Sequence, residues 1–133
     1  MGKPFEYAIL RLVPRVERGE FINAGVVLYC QAERFLGARV HVDPARLKAL
    51  DPDADLEAVL AHLEAVRSVC AGAPEAGSVG RLPLGERFGW VVAPRSTVVQ
   101  PSPVHTGLTE DPEAELERLL RTMVLPGRDQ DTL

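Results

Sequence analysis

Lysine, aromatic residues and cysteine are all scarce in this 133-residue chain, and each scarcity excludes something. Lysine occurs only at Lys3 and Lys48, so arginine carries almost all the positive charge. A GC-rich genome explains this simply; selection for planar anion recognition is the alternative. A net charge of −4 withholds the basic face that phosphate neutralisation requires, and an aromatic content of 5% leaves few platforms for stacking bases. Nucleic acid is therefore not an expected partner. No apolar run approaches the ~20 residues of a membrane span, and Met1-Gly2-Lys3-Pro4 opens no apolar signal region. Glu6 stands where a myristoylation signal needs Ser or Thr. Cys30 and Cys70 lie in separate apolar segments without a CxxC, which reads as buried thiols in a reducing cytoplasm.

The hydrophobic fraction of 46% is ample for one core without staples. A single domain is expected over 5–125, followed by a polar, disordered tail from Pro126 to Leu133. Phe5 to Pro14 alternates as a strand, with Phe5, Tyr7, Ile9, Arg11 and Val13 on one face and Ala8, Leu10 and Leu12 on the other. Both faces are largely apolar, so this strand should be central or well covered. Phe21 to Cys30 is the second strand, joined by the charged turn Arg15 to Glu20, where Gly19 can take a positive φ. Arg34 to Val42 would complete an antiparallel meander.

Three Asp-Pro pairs follow, at Asp43-Pro44, Asp51-Pro52 and Asp111-Pro112. Aspartate caps a helix while proline fills its first position without losing a hydrogen bond. Ala45 to Leu50 is at most a short helix. Leu56, Val59, Leu60, Leu63, Val66 and Cys70 then form one helical stripe ending near Gly72. Leu82 to Val92 is ambiguous, because Gly85 and Gly89 each weaken a helix by about 1 kcal/mol. Thr97 to Val104 reads as an edge strand or surface segment, since Pro101 and Pro103 cannot donate to a ladder. A closing helix buries Leu116, Leu119, Leu120 and Met123. The expected fold class is α+β: an antiparallel sheet of three to five strands, starting from the N-terminal hairpin or meander, with two or three helices packed on one face.

Polar residues interrupt this apolar pattern at two places. Arg11 and Asn23 sit among apolar neighbours, where a guanidinium must be paired and an amide hydrogen-bonded. Either they are satisfied across the hairpin, or they floor a binding site. Arg15, Glu17, Arg18 and Glu20 crowd the turn, as a solvated loop or as an anion or partner contact. The second place is Arg87-Phe88-Gly89-Trp90, Pro94-Arg95-Ser96-Thr97, Gln100, Ser102 and His105-Thr106-Gly107. Its amides and Arg95 could meet a phosphate or carboxylate; equally, its hydroxyls could satisfy an irregular backbone. Trp90 is expected in the core.

Enzymatic signals are weak. Ser96 with His105 lacks a G-x-S-x-G elbow, and no phosphate loop or dinucleotide fingerprint is present. His41 and Asp43 share a strand face, but two ligands without a third make no metal site. No metal and no cofactor are expected.

Tyr7-x-x-x-Arg11-x-x-Pro14 with Arg18-Gly19-Glu20-Phe21-x-Asn23-x-Gly25-Val26 resembles the first signature of the bacterial family Domain of Unknown Function 3037. Arg87-Phe88-x-Trp90, Pro94-Arg95-Ser96-Thr97 and His105-x-Gly107 are similar to its second signature. The resemblance carries no established activity. It implies a protein partner, a HipA-like kinase homologue in a toxin–antitoxin-like pair. On that footing the chain is expected to be a small cytoplasmic binding or regulatory module. Its contact or anion-binding residues are expected among Arg11, Arg15, Arg18, Glu20, Asn23, Arg95, Ser96 and His105. The alternative is a small enzyme or ligand-binding protein for a phosphorylated or nucleotide substrate, with Arg18 and Arg95 clamping the phosphate and His105 as acid–base.

Overall fold

The computed structural model describes residues 1–126; the expected tail beyond Pro126 lies outside the described residues. Strands β1 (Lys3–Leu12), β2 (Ile22–Cys30) and β3 (Phe35–Val40) form the expected antiparallel meander. Two further strands, β4 (Val99–Pro101) and β5 (His105–Thr109), lie end to end along the other side of β1. β4 pairs with Leu10–Leu12 and β5 with Lys3–Tyr7, both antiparallel. β1 is thus flanked by strands on both sides.

The register shifts by one residue between β4 and β5, since Leu10 lies opposite Pro101 but Tyr7 opposite His105. The buried Ser102 holds β1 at this irregularity. Its backbone N–H donates to the Ile9 carbonyl at 2.8 Å, and its hydroxyl accepts the Ile9 N–H at 2.8 Å. The same hydroxyl donates to the Pro103 carbonyl at 2.9 Å. Beyond Pro103 the chain recovers a regular strand, where the sequence pattern implied irregular structure. β5 exists because β1 offers it an open ladder, a tertiary cause that five residues cannot display.

Helix α1 (Pro44–Leu50) starts as expected, with Asp43 accepting from the Ala45 and Arg46 amides and Pro44 in the first turn. Helix α2 (Leu56–Ala71) is capped by Asp55, which accepts from the Ala58 amide. The Asp51-Pro52 pair does not cap it: Asp51 ends α1 and accepts the Asp53 amide at 3.0 Å. Gly72 closes α2 at φ +68°, where an L side chain is strained. Leu84–Val92 resolves as helix α3, so the helix spacing of Leu84, Phe88 and Val91 prevails over two glycines. Gly85 has a packing reason, since a Cβ there would lie 3.1 Å from the Tyr29 hydroxyl oxygen. Helix α4 (Pro112–Leu119) is capped by Asp111 and continues into one π turn, Leu120–Val124.

Ala8, Leu10, Leu12 and Val27 face α1, α2 and α3, packing with Leu47, Leu63, Val66, Phe88 and Val91. Three helices therefore share one face, as expected. The opposite face carries Phe5, Ile9, Val26, Leu28 and Cys30, covered by Leu116, Leu119 and Val124. The closing helix adds a second layer there.

Three side chains depart from expectation. Leu60 is 46% exposed beside the fully buried Leu63, because α2 meets the sheet along a stripe narrower than its apolar run. Met123 is 42% exposed: the π turn holds one extra residue, so the buried phase passes to Val124. Trp90 is 41% exposed and lies outside the core, on the outer side of α3. Among the described residues, no helix is long and apolar enough to cross a membrane.

Candidate interaction face

A β-bulge shapes the end of the sheet. Leu10 opposes Gly25 and Arg11 opposes Asn23, leaving Ala24 as the extra residue of β2. Without that insertion Asn23 would point into the α2 layer. With it, Asn23 joins Arg11 on the α4 face, and Gln100 of β4 lies opposite Arg11 on the other side. Three polar residues thus cross three adjacent strands, spanning about 10 Å.

Each of the three finds a different partner, and the one that holds Asn23 lies outside the hairpin. The Asn23 side-chain amide donates to the Met123 carbonyl at 3.0 Å, tethering the π turn to the sheet. The Gln100 amide donates to the Thr97 carbonyl at 2.8 Å. Arg11 lies over the ring of Phe21, 4.3 Å from its centroid, and its Nε is buried without an acceptor. Arg39, the other arginine on this face of the sheet, behaves otherwise: it pairs with Glu113 and, at 2.6 Å, with Glu117 of α4. Among the described residues Arg11 has no carboxylate partner. Phe21 is 44% exposed and Arg11 half-buried, so the aromatic support of the cation lies at the surface.

The loop residues are already matched. Arg15 Nε lies 3.3 Å from Glu17, and the Arg18 fork holds both oxygens of Glu20 at 2.8 and 3.0 Å. The Arg18 hydrogen bonds pull the Glu20 carboxyl below its ordinary pKa, and the same bonds raise that of Arg18. All four side chains are exposed.

Arg95 sits on the other layer. Its Nε donates to the Ala93 carbonyl at 3.2 Å, another nitrogen donates to the Trp90 carbonyl, and the guanidinium covers the Trp90 ring at 4.9 Å. It caps the end of α3. Ser96 is exposed in the turn that follows. His105, in β5, lies opposite Tyr7 with ring centroids 5.3 Å apart. It shares the α4 face with Arg11 but stands four β1 residues away, about 13 Å. Arg18, Asn23, Arg95 and His105 do not line a common cavity among those described. The groove beside Arg95 runs along α2, between Ala61, Ala65, Ala76 and Trp90.

Sequence reasoning missed Arg87 as a structural anchor. Its Nε donates to the Leu82 carbonyl at 2.8 Å, and one Nη meets the Val69 and Cys70 carbonyls at 3.1 and 2.9 Å. These last two are carbonyls of the final turn of α2, where a cation is favoured. Burial pushes the Cys70 thiol up to about 12, against the opposing influence of Arg87. Phe21 and Met123 were also missed as surface residues. Their apolar character reads as core, and only the sheet end and the π turn bring them out.

The family model described as Protein of unknown function (DUF3037) matches residues 7–124. No curated protein and no solved structure matches the chain. The match takes in both sequence signatures and the closing helix, and the chain belongs to the DUF3037 family.

Proposed function

We propose that this chain is a protein-binding module whose partner docks on the sheet-end face of Arg11, Phe21, Asn23 and Met123. One observation carries the proposal: a guanidinium stacked on a half-exposed aromatic ring, with a buried Nε that no described residue accepts. A buried cationic donor without an acceptor is costly, and a carboxylate from a partner would satisfy it. Arginine, aromatic residues and methionine are also the types enriched in the energetic centres of interfaces.

The partner we propose is the HipA-like kinase homologue that the family resemblance implies, in a toxin–antitoxin-like pair in the cytoplasm. The two free, buried cysteines suit a reducing compartment. The alternative, an enzyme or binding protein for a phosphorylated or nucleotide substrate, asks Arg18 and Arg95 to clamp one anion. Arg18 is engaged by Glu20 and Arg95 by backbone carbonyls, so that reading draws no support from their geometry.

Co-expression tests the proposal. Tagged chain should retain the HipA-like kinase homologue on an affinity column, and Phe21→Ser should release it while remaining folded. Absence of co-purification by the wild-type chain would refute the proposed pairing.

A further inference from the structure

Among the described residues β5 pairs only with β1, so its outer edge is open, away from the Arg11 face. Odd-numbered residues of β1 turn their backbone groups towards β4 and β5, as the Ile9 and Val13 bonds to Ser102 and Val98 demonstrate. Pro4 has no N–H, so its pair with Leu108 exchanges no hydrogen bonds. The bonded pairs are therefore Lys3 with Thr109, Phe5 with Gly107 and Tyr7 with His105. By alternation, the N–H and C=O groups of Thr106 and Leu108 point away from the sheet.

Among the described residues, no strand pairs with them. Thr106 is exposed, and Leu108 is 70% exposed, more than any other large apolar side chain among the described residues except Met1. Natural edge strands are blunted by charge, proline or a covering element. The opposite edge, β3, carries Arg39. β5 has the sequence His-Thr-Gly-Leu-Thr, with neither proline nor a carboxylate, lysine or arginine.

We infer that β5 pairs antiparallel with β5 of a second copy, about a two-fold axis through Gly107. The register is self-complementary. With Gly107 opposite Gly107 of the second copy, Thr106 lies opposite Leu108 on both sides, and those residues hold the outward groups. Each such pair exchanges two N–H···O bonds, so the symmetric ladder uses every outward donor in the core of the strand. The charges agree with it: His105 meets Thr109, and Glu110 meets Val104, so no like charges oppose one another. Val104, itself 40% exposed, and Leu108 gain apolar cover. The ladder ends where the regular strand ends, since β5 spans only His105–Thr109. The two sheets become one continuous sheet, and both Arg11 faces stay accessible.

Sedimentation velocity on the full chain across the micromolar range tests this. The chain should run at twice its 14.5 kDa mass and dissociate on dilution. Leu108→Lys places a charge on the edge and should weaken dimerisation at least tenfold, with an unchanged circular dichroism spectrum. Thr106→Pro removes an N–H that β1 does not use, so it should give a folded monomer. If the proline variant fails to fold, Leu108→Lys alone decides. A 14.5 kDa species at every concentration, or a dimer that Leu108→Lys leaves intact, overturns the inference.

Discussion

Asn23 Nδ2 donates to the Met123 carbonyl oxygen at 3.0 Å, joining residues one hundred positions apart. Two local irregularities make the bond possible: the bulge at Ala24 turns Asn23 to the α4 face, and the π turn brings the Met123 carbonyl over it. Asn23→Leu removes the donor and should cost about 1–2 kcal/mol in urea unfolding. The amides of the π turn should exchange faster than those of α4. Unchanged stability and unchanged exchange would show that the π turn stands without this tether.

Ser102 supports β1 at the gap between two prolines. Ser102→Ala leaves the Ile9 N–H without its 2.8 Å acceptor in a buried position, which should cost about 1–3 kcal/mol. Hydrogen exchange at Ile9 should accelerate in step. If Ile9 stays protected at wild-type stability, the hydroxyl is not its effective partner.

Two leucines one turn apart on α2 should respond differently. Leu63→Ala empties a fully buried site and should cost about 2–5 kcal/mol. Leu60→Ala, at a site 46% exposed, should stay within about 0.5 kcal/mol. Equal losses by denaturant titration would contradict the packing of α2 on the sheet.

The Cys70 thiol is raised to about 12 from an ordinary value of 9.0 because burial disfavours the thiolate. At pH 8 it should resist alkylation in the folded chain and react after unfolding. The sign of the linked stability follows from the folded state holding its proton more tightly. The contribution is intact below pH 9 and is lost progressively as pH rises towards 12. Rapid alkylation at pH 8 under native conditions would place Cys70 outside the core.

The central position of β1 is legible in its two apolar faces, and the caps of α1 and α4 in their Asp-Pro pairs. The cap of α2 is not, because Asp51, Asp53 and Asp55 are equally able acceptors and only the end of α1 decides among them. β5 is hidden for a different reason: its state is set by an edge supplied a hundred residues earlier. Met123 falls on the helical stripe by spacing, yet the π turn shifts the phase, and no local pattern announces it.

The two polar interruptions are visible in the sequence, but their partners are not. Arg11 and Asn23 are register neighbours, as their strands imply. Asn23 then spends its amide on Met123 and Arg11 lies on Phe21, choices fixed by the bulge and by α4. Arg95 reads as a free fork, yet the end of α3 lies within its reach and takes its donors.

The central claim is that Arg11 anchors a protein partner, and calorimetric titration of the chain with the proposed HipA-like kinase homologue tests it most directly. Arg11→Ala should weaken binding by about 2–5 kcal/mol, the range for truncating one half of a buried charge pair. The melting temperature should change little, because Arg11 has no ion pair to lose and its stacking on Phe21 is worth about 0.5–1 kcal/mol at an exposed site. Arg95→Ala, which alters the end of α3 on the opposite layer, should leave the affinity at the wild-type value. Undiminished affinity in Arg11→Ala, or no heat of binding from the wild-type chain, would contradict the account.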